Sequence, residues 1–172
     1  IILFAAVKAA DKRKGMDYLV EAAGLMAHHS ENLLFLIAGG RGEEIEKQLA
    51  LPARSMGYIS PRQMPELYNA VDLFVTPSLY ENLPNTIMEA MACGTPCVGF
   101  HIGGIPEMID HRKNGYVAKY RNARDLANGL IWTLFEADFE TLSINARGKV
   151  TEEYSQEKVA QQYKEIYEYE GE

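Results

Sequence analysis

The sequence predicts one α/β domain built on a doubly wound, Rossmann-like parallel sheet of about six strands. Apolar runs of strand length alternate with stretches of helical periodicity along the whole chain. The runs are apolar nearly throughout, so the strands should be parallel and covered by helices on both faces. The 172 residues, 47% hydrophobic and 24% charged, suit one soluble domain with a sizeable core.

The first element, Ile1–Val7 ("IILFAAV"), reads as a buried strand. A helix from about Met16 to Ala27 comes next, with Met16, Leu19, Val20, Ala23 and Ala27 on one stripe. Leu33–Gly40 ("LLFLIAGG") is a strand ending in glycines, succeeded by a polar helix near Glu43–Ala50. Ser55–Ile59 is a short strand, and Met64, Leu67, Tyr68 and Val71 mark the next helix. Leu73–Ser78 is a fourth strand. Then come a helix over Asn85–Cys93, the strand "PCVGF", a short helix near Ile105–Ile109 and the strand Gly115–Ala118. Helices over Asp125–Glu136 and much of Phe139–Tyr169 complete the chain. No repeat, linker or low-complexity segment interrupts this order.

Composition excludes some function classes. The formal charge of −7 argues against a nucleic-acid binder or an anionic-membrane binder. No apolar run approaches the roughly 18 residues of a membrane span. Nothing resembles a secretory signal. Two cysteines, Cys93 and Cys97, flank a Gly-Thr-Pro break and read as small apolar side chains of a reduced, cytoplasmic chain. Because "IILFAAV" at the first residue already reads as core, the chain is expected to be a piece of a longer protein.

Sheets of this kind bind ligands in the loops after their strands, and three junctions stand out. In "VKAADKRKGMD", Lys8 ends the first strand and Lys12, Arg13 and Lys14 precede a helix. Positive charge is unfavourable at a helix amino end unless an anion such as phosphate sits there. Gly15 permits close backbone approach, which makes Lys14 the better anion ligand. In "AGGRGEEI", Gly40 and Gly42 begin a dinucleotide-type glycine pattern, but its third glycine is Ile45. In "SLYENLPNTIMEAMACGTPCVGF", Glu81 and Glu89 flank the turn Asn82–Thr86, where Asn85 or Thr86 could cap the helix. Free amides there suit phosphate. The two carboxylates suit sugar hydroxyls. The alternative, Glu81 closing a turn and Glu89 in an ordinary salt bridge, fits the spacing equally. His101, beside Gly103 and Gly104, is expected on the cleft side.

These residues resemble a known family. "PSLYENLPNTIMEAMACGTPCVGFHIGGIPEMI" resembles the E-x7-E signature of glycosyltransferase family 4, retaining enzymes of the two-domain GT-B fold. "KAADKRKG" resembles that family's phosphate-binding segment. The resemblance spans roughly residues 1–130 and corresponds to the carboxyl-terminal, donor-binding half. It implies that Glu89 binds the nucleotide ribose, Glu81 the transferred sugar, and Lys8 with Lys14 the diphosphate. Asn82, Leu83, Asn85 and Thr86 would belong to the phosphate-cradling loop, and Ile59 to Met64 would lie beside the base. Position 8 is commonly Arg in the family; Lys keeps the charge but loses the bidentate fork.

The implied reaction moves a hexose-type sugar from a nucleotide diphosphate sugar to a glycan or lipid-linked acceptor hydroxyl, without a metal or other cofactor. The sequence contains no Asp-x-Asp pair. The partners implied are the donor and an amino-terminal half of the same protein, through which the protein could also sit at the inner face of a membrane. The Gly103-Gly104 turn is expected to abut that half. Tyr154, Val159, Tyr163 and Tyr167 form a stripe that either crosses to it or packs on this domain. Two other readings stay open: a non-catalytic nucleotide-sugar-binding module, and a same-fold nucleotide-sugar epimerase.

Overall fold

The computed structural model describes residues 1–9 and 11–169. Six strands, β1 (Ile2–Lys8), β2 (Phe35–Gly40), β3 (Ala53–Gly57), β4 (Leu73–Thr76), β5 (Cys97–Phe100) and β6 (Gly115–Ala118), form one sheet in the order β3-β2-β1-β4-β5-β6. Every neighbouring pair is parallel. The doubly wound, Rossmann-like expectation is met. The chain builds outward from β1 to β3, then crosses back and builds outward from β4 to β6. The order reverses between β1 and β4, which is where such sheets open a crevice beyond their strand ends.

Alternation along the strands divides the core. Ile2, Phe4, Phe35 and Ile37 face α1 (Met16–Leu25), α2 (Gly42–Glu46) and α6 (Ala123–Ile131). Leu3 and Phe74 face α3 (Met64–Asn69), α4 (Asn85–Ala92), α5 (Ile105–Met108) and α7 (Phe139–Glu153). Both layers are dry: Ile2, Leu3, Phe4, Phe35 and Phe74 are at most 1% exposed. Each such side chain contributes about 1.5–3 kcal/mol by leaving water.

Several boundaries differ from the sequence pattern, for local reasons. α1 stops at Leu25 and tightens into a 3-10 segment, so Met26 rather than Ala27 completes its buried stripe. The helix expected to Ala50 ends at Glu46, where the amides of Gln48 and Leu49 both turn back to the Ile45 carbonyl. β3 ends two residues early because Gly57 takes a positive φ of 63°. That turn releases Tyr58 and Ile59 from the sheet. α6 starts at Ala123 because the Asn122 side chain accepts from the Asp125 amide.

The long tail helix is broken at Tyr154, and α8 (Gln156–Tyr169) lies beyond the break. Its aromatic stripe divides. Tyr154 packs against the second core layer and Val159 is half-buried, while Tyr163 and Tyr167 stand exposed. Among the described residues no helix is long and apolar enough to cross a membrane.

Candidate functional site

A pocket of about 300 Å³ opens beyond the carboxyl ends of β1 and β2. Small residues make its floor: Ala5 and Ala6 of β1, and Gly39 of β2. A side chain at Gly39 would not fit, since a Cβ there would lie 1.8 Å from the Ala6 carbonyl oxygen. Both ladders slip at this level, β1 against β2 between Ala5 and Lys8, and β2 against β3 beyond Ile37. Such irregularities bend the strand ends and change the direction in which the chain leaves the sheet. The walls are Ile59 and Met64, and Thr86 and Glu89 of α4 close the side nearest β4. The lining is therefore largely apolar with one carboxylate at its edge.

Glu89 is held by a phenol rather than by a cation. The Tyr68 hydroxyl donates to Glu89 Oε2 at 3.2 Å. Tyr68 is fully buried, packs edge-on to Phe74 at 5.7 Å, and its carbonyl accepts from the Thr95 hydroxyl at 2.8 Å. Burial, and after it the charge of Glu89, pushes the Tyr68 hydroxyl far above its ordinary pKa. It is a neutral donor at any physiological pH. The salt bridge considered for Glu89 is replaced by this contact.

Lys14 and Glu81 come together from positions 67 apart, with Nζ 2.6 Å from Oε1. Backbone packing brings them there. Gly15 adopts the left-handed conformation at φ 69°, and a Cβ on it would lie 1.8 Å from the Pro77 carbonyl oxygen. The Leu79 amide donates to the Arg13 carbonyl at 2.8 Å. The turn after β1 is thus docked on the loop after β4. The close backbone approach expected at Gly15 is made by Pro77, and Lys14, expected to meet an anion, is carried to Glu81. On the far side, the Gly104 amide donates to the Asn82 carbonyl at 2.5 Å, and a Cβ on Gly103 would lie 2.0 Å from the Glu81 carbonyl oxygen. Gly103 and Gly104 therefore clamp the Glu81 loop.

α4 begins without a side-chain cap. Pro84 occupies the cap position, and neither Asn85 nor Thr86 serves as the cap expected of them. The first intrahelical donor is the Ile87 amide, to the Pro84 carbonyl at 3.0 Å. The amides of Asn85 and Thr86 lie within the first turn, where helix geometry offers no internal acceptor.

Of the residues singled out in the sequence, Ile59, Met64, Thr86 and Glu89 meet in the pocket, and Lys14 with Glu81 forms the pair beside it. Lys8 stands exposed at the end of β1. Asn82 and Leu83 are exposed on the connecting loop, and Asn85 is exposed at the first position of α4. Leu83 lines a separate groove against Tyr154 and Tyr163 of the tail. Arg13 is engaged by Asp11 at 2.7 Å, so it is not free for an anion. His101 is exposed and does not line the pocket. Gly42 belongs to no glycine cradle: a Cβ there would lie 2.5 Å from Ser55 Oγ, so it packs α2 on β3. Sequence reasoning missed the pocket floor and the Tyr68 hydroxyl. The Ala-Ala pair at the end of a strand and the glycines of β2 were the available signals for the floor.

A family model described as glycosyl transferases group 1 matches residues 1–135. An uncharacterized glycosyltransferase of Methanocaldococcus jannaschii is 30% identical over 162 residues, covering 90% of this chain and 42% of that protein. The chain spans well under half the length of this relative. Among solved structures, the sucrose-phosphate synthase of Thermosynechococcus elongatus superposes with a TM-score of 0.80 at 27% identity, over 97% of this chain and 44% of that one. The Anabaena protein HepE in complex with UDP and glucose superposes with a TM-score of 0.79 at 24% identity, over 97% and 48%; at that identity it speaks to the fold. The sheet order, the pocket at its switch point and the match over residues 1–135 converge: the chain belongs to the glycosyl transferases group 1 family.

Proposed function

We propose that this chain is the donor-binding, carboxyl-terminal half of a retaining, family 4-type glycosyltransferase. It would present a nucleotide diphosphate sugar from which a hexose-type sugar passes to an acceptor hydroxyl. The observation that carries this is the juxtaposition at the β1/β4 switch point: an apolar pocket edged by Glu89, beside a Lys14–Glu81 pair and an uncapped helix amino end. Each part suits one portion of the donor. The base would enter between Ile59 and Met64, and Glu89 would accept hydrogen bonds from ribose hydroxyls. The first-turn amides of α4, Lys14 and Lys8 would receive the diphosphate. Glu81 would then turn to hydroxyls of the transferred sugar.

The chemistry is set by where charge develops. When the bond between the anomeric carbon and the diphosphate oxygen breaks, the electron pair leaves with the diphosphate. Lys8, Lys14 and the α4 amino end are the groups that would stabilise that charge, and such preorganised groups contribute most where water is excluded. In this reading the diphosphate is neutralised by side chains and amides, and no metal is required. The acceptor, a glycan or a lipid-linked sugar, would be presented by an amino-terminal half.

Calorimetric titration of this chain with UDP, GDP and ADP tests the reading. One diphosphate should bind, and Glu89→Ala and Lys14→Ala should each weaken it. Failure of all three to bind, or binding indifferent to both substitutions, would overturn it.

A further inference from the structure

We infer that Tyr68 is a positioning residue for the donor: its buried hydroxyl fixes the Glu89 carboxylate so that the carboxylate meets ribose hydroxyls already oriented. The inference rests on the reading of Glu89 as the ribose ligand.

Glu89 lies on the exposed surface of α4, where a glutamate carboxylate ordinarily samples several rotamers. Here Oε2 is tied to a fully buried, packed group. The Tyr68 ring has no exposed surface, and Phe74 packs edge-on against it. The Thr95 hydroxyl holds its backbone, tying α3 to the turn before β5. The post thus stands on both the sheet and the neighbouring helix layer. A carboxylate oxygen that accepts one hydrogen bond keeps a further lone pair, and Oε1 keeps its own. Tyr68 therefore orders the carboxylate without consuming it. A cation in the same place would hold Glu89 more tightly but compete with the ligand for its charge. A neutral phenol at the back of a binding carboxylate avoids that competition.

Tyr68→Phe deletes the hydroxyl and keeps the ring, so packing against Phe74 is retained. The probes are UDP, GDP and ADP, each beside its 2′,3′-dideoxy analogue, titrated calorimetrically into this chain. Wild type should prefer the ribose form of the diphosphate it binds. Tyr68→Phe, which removes a hydrogen bond to a charged group, should weaken that form about 10-fold, leave the dideoxy form within about 2-fold, and add nothing in a Glu89→Ala background. Equal weakening of both forms, or an undiminished effect in the Glu89→Ala background, would show that Tyr68 supports the fold or touches the ligand itself, and would overturn the inference. If wild type prefers ribose and Tyr68→Phe leaves that preference unchanged, the inference falls alone. If wild type binds no diphosphate, or binds without ribose preference, the reading of Glu89 falls with it.

Discussion

The pocket and the ion pair lie side by side at the strand ends, yet they stand in opposite states. The pocket is open and preformed: its floor is backbone and methyl groups, its walls are apolar, and its one carboxylate accepts a hydrogen bond from Tyr68. The Lys14–Glu81 pair is closed on itself, with Glu81 only 15% exposed and Lys14 34% exposed. A nucleoside could enter the first without displacing anything. A diphosphate reaching Lys14 would compete with Glu81 for it, and in the proposed reading Glu81 would then turn to sugar hydroxyls. In the proposed reading, affinity for the nucleoside part would reside in shape, and commitment of the reactive part in an exchange of partners.

The contrast can be broken experimentally, beginning with the largest effect. In a protein carrying both halves, Lys14→Ala should lower kcat/KM for transfer by about 100- to 1,000-fold if, as proposed, Lys14 stabilises the leaving group. A loss confined to KM would place Lys14 in ground-state binding alone. Glu89→Ala should weaken nucleoside diphosphate binding to this chain by about 10-fold or more, as charged hydrogen bonds contribute roughly 1.5–3 kcal/mol. The same substitution should leave the response to Glu81 variants intact, because it lies on the preformed side.

Glu81→Gln sharpens the comparison by moving two quantities in opposite directions. It releases Lys14, so free diphosphate should bind up to about 5-fold more tightly, the upper range for a partly exposed ion pair. Transfer in the two-half protein should fall, because the sugar loses its carboxylate. If diphosphate affinity falls as well, the pair is not a closed latch.

The smallest effect concerns the turn that carries Lys14. Hydrogen bonds from the Arg13 side chain and amide lower the Asp11 carboxyl from 3.8 to about 2. A carboxyl that is a stronger acid in the folded chain favours folding above its unfolded pKa, and that contribution disappears as pH falls towards the folded value. Thermal melts of wild type and Asp11→Asn should therefore differ slightly at pH 7 and converge between about pH 4 and 2. A gap that persists at the lowest pH would assign the effect to packing rather than charge.

How much of this site the sequence revealed depended on how local each feature was. The strands were legible because apolar runs such as "LFVT" have no polar face to hide. Glu81 and Glu89 were legible as a spacing, whereas Ile59 and Met64 came forward only through the family resemblance, as the loop beside the base. The pairing of Lys14 with Glu81 was not, since it arises from two loops docking across the sheet. Tyr68 read only as an apolar position on a helix stripe; the partner of its hydroxyl lies 21 residues away. Asn85 and Thr86 have the composition of caps, but Pro84 reaches the cap position first. Gly103 and Gly104 read only as a contact for an amino-terminal half, because their close approach to the Glu81 loop is non-local. Small residues carry no periodicity, so the floor of Ala5, Ala6 and Gly39 emerged only once β1 and β2 were laid together.

The docking of Gly15 against Pro77, with Arg13 and Leu79 joined beside it, has a practical meaning for anyone re-engineering this surface. The turn after β1 and the loop after β4 are distant in sequence but form a single interchangeable part. A loop graft that imports a foreign 78–84 segment to change sugar choice inherits a turn cut to fit the original. The workable unit of exchange is both segments together, with the Gly103-Gly104 clamp left in place.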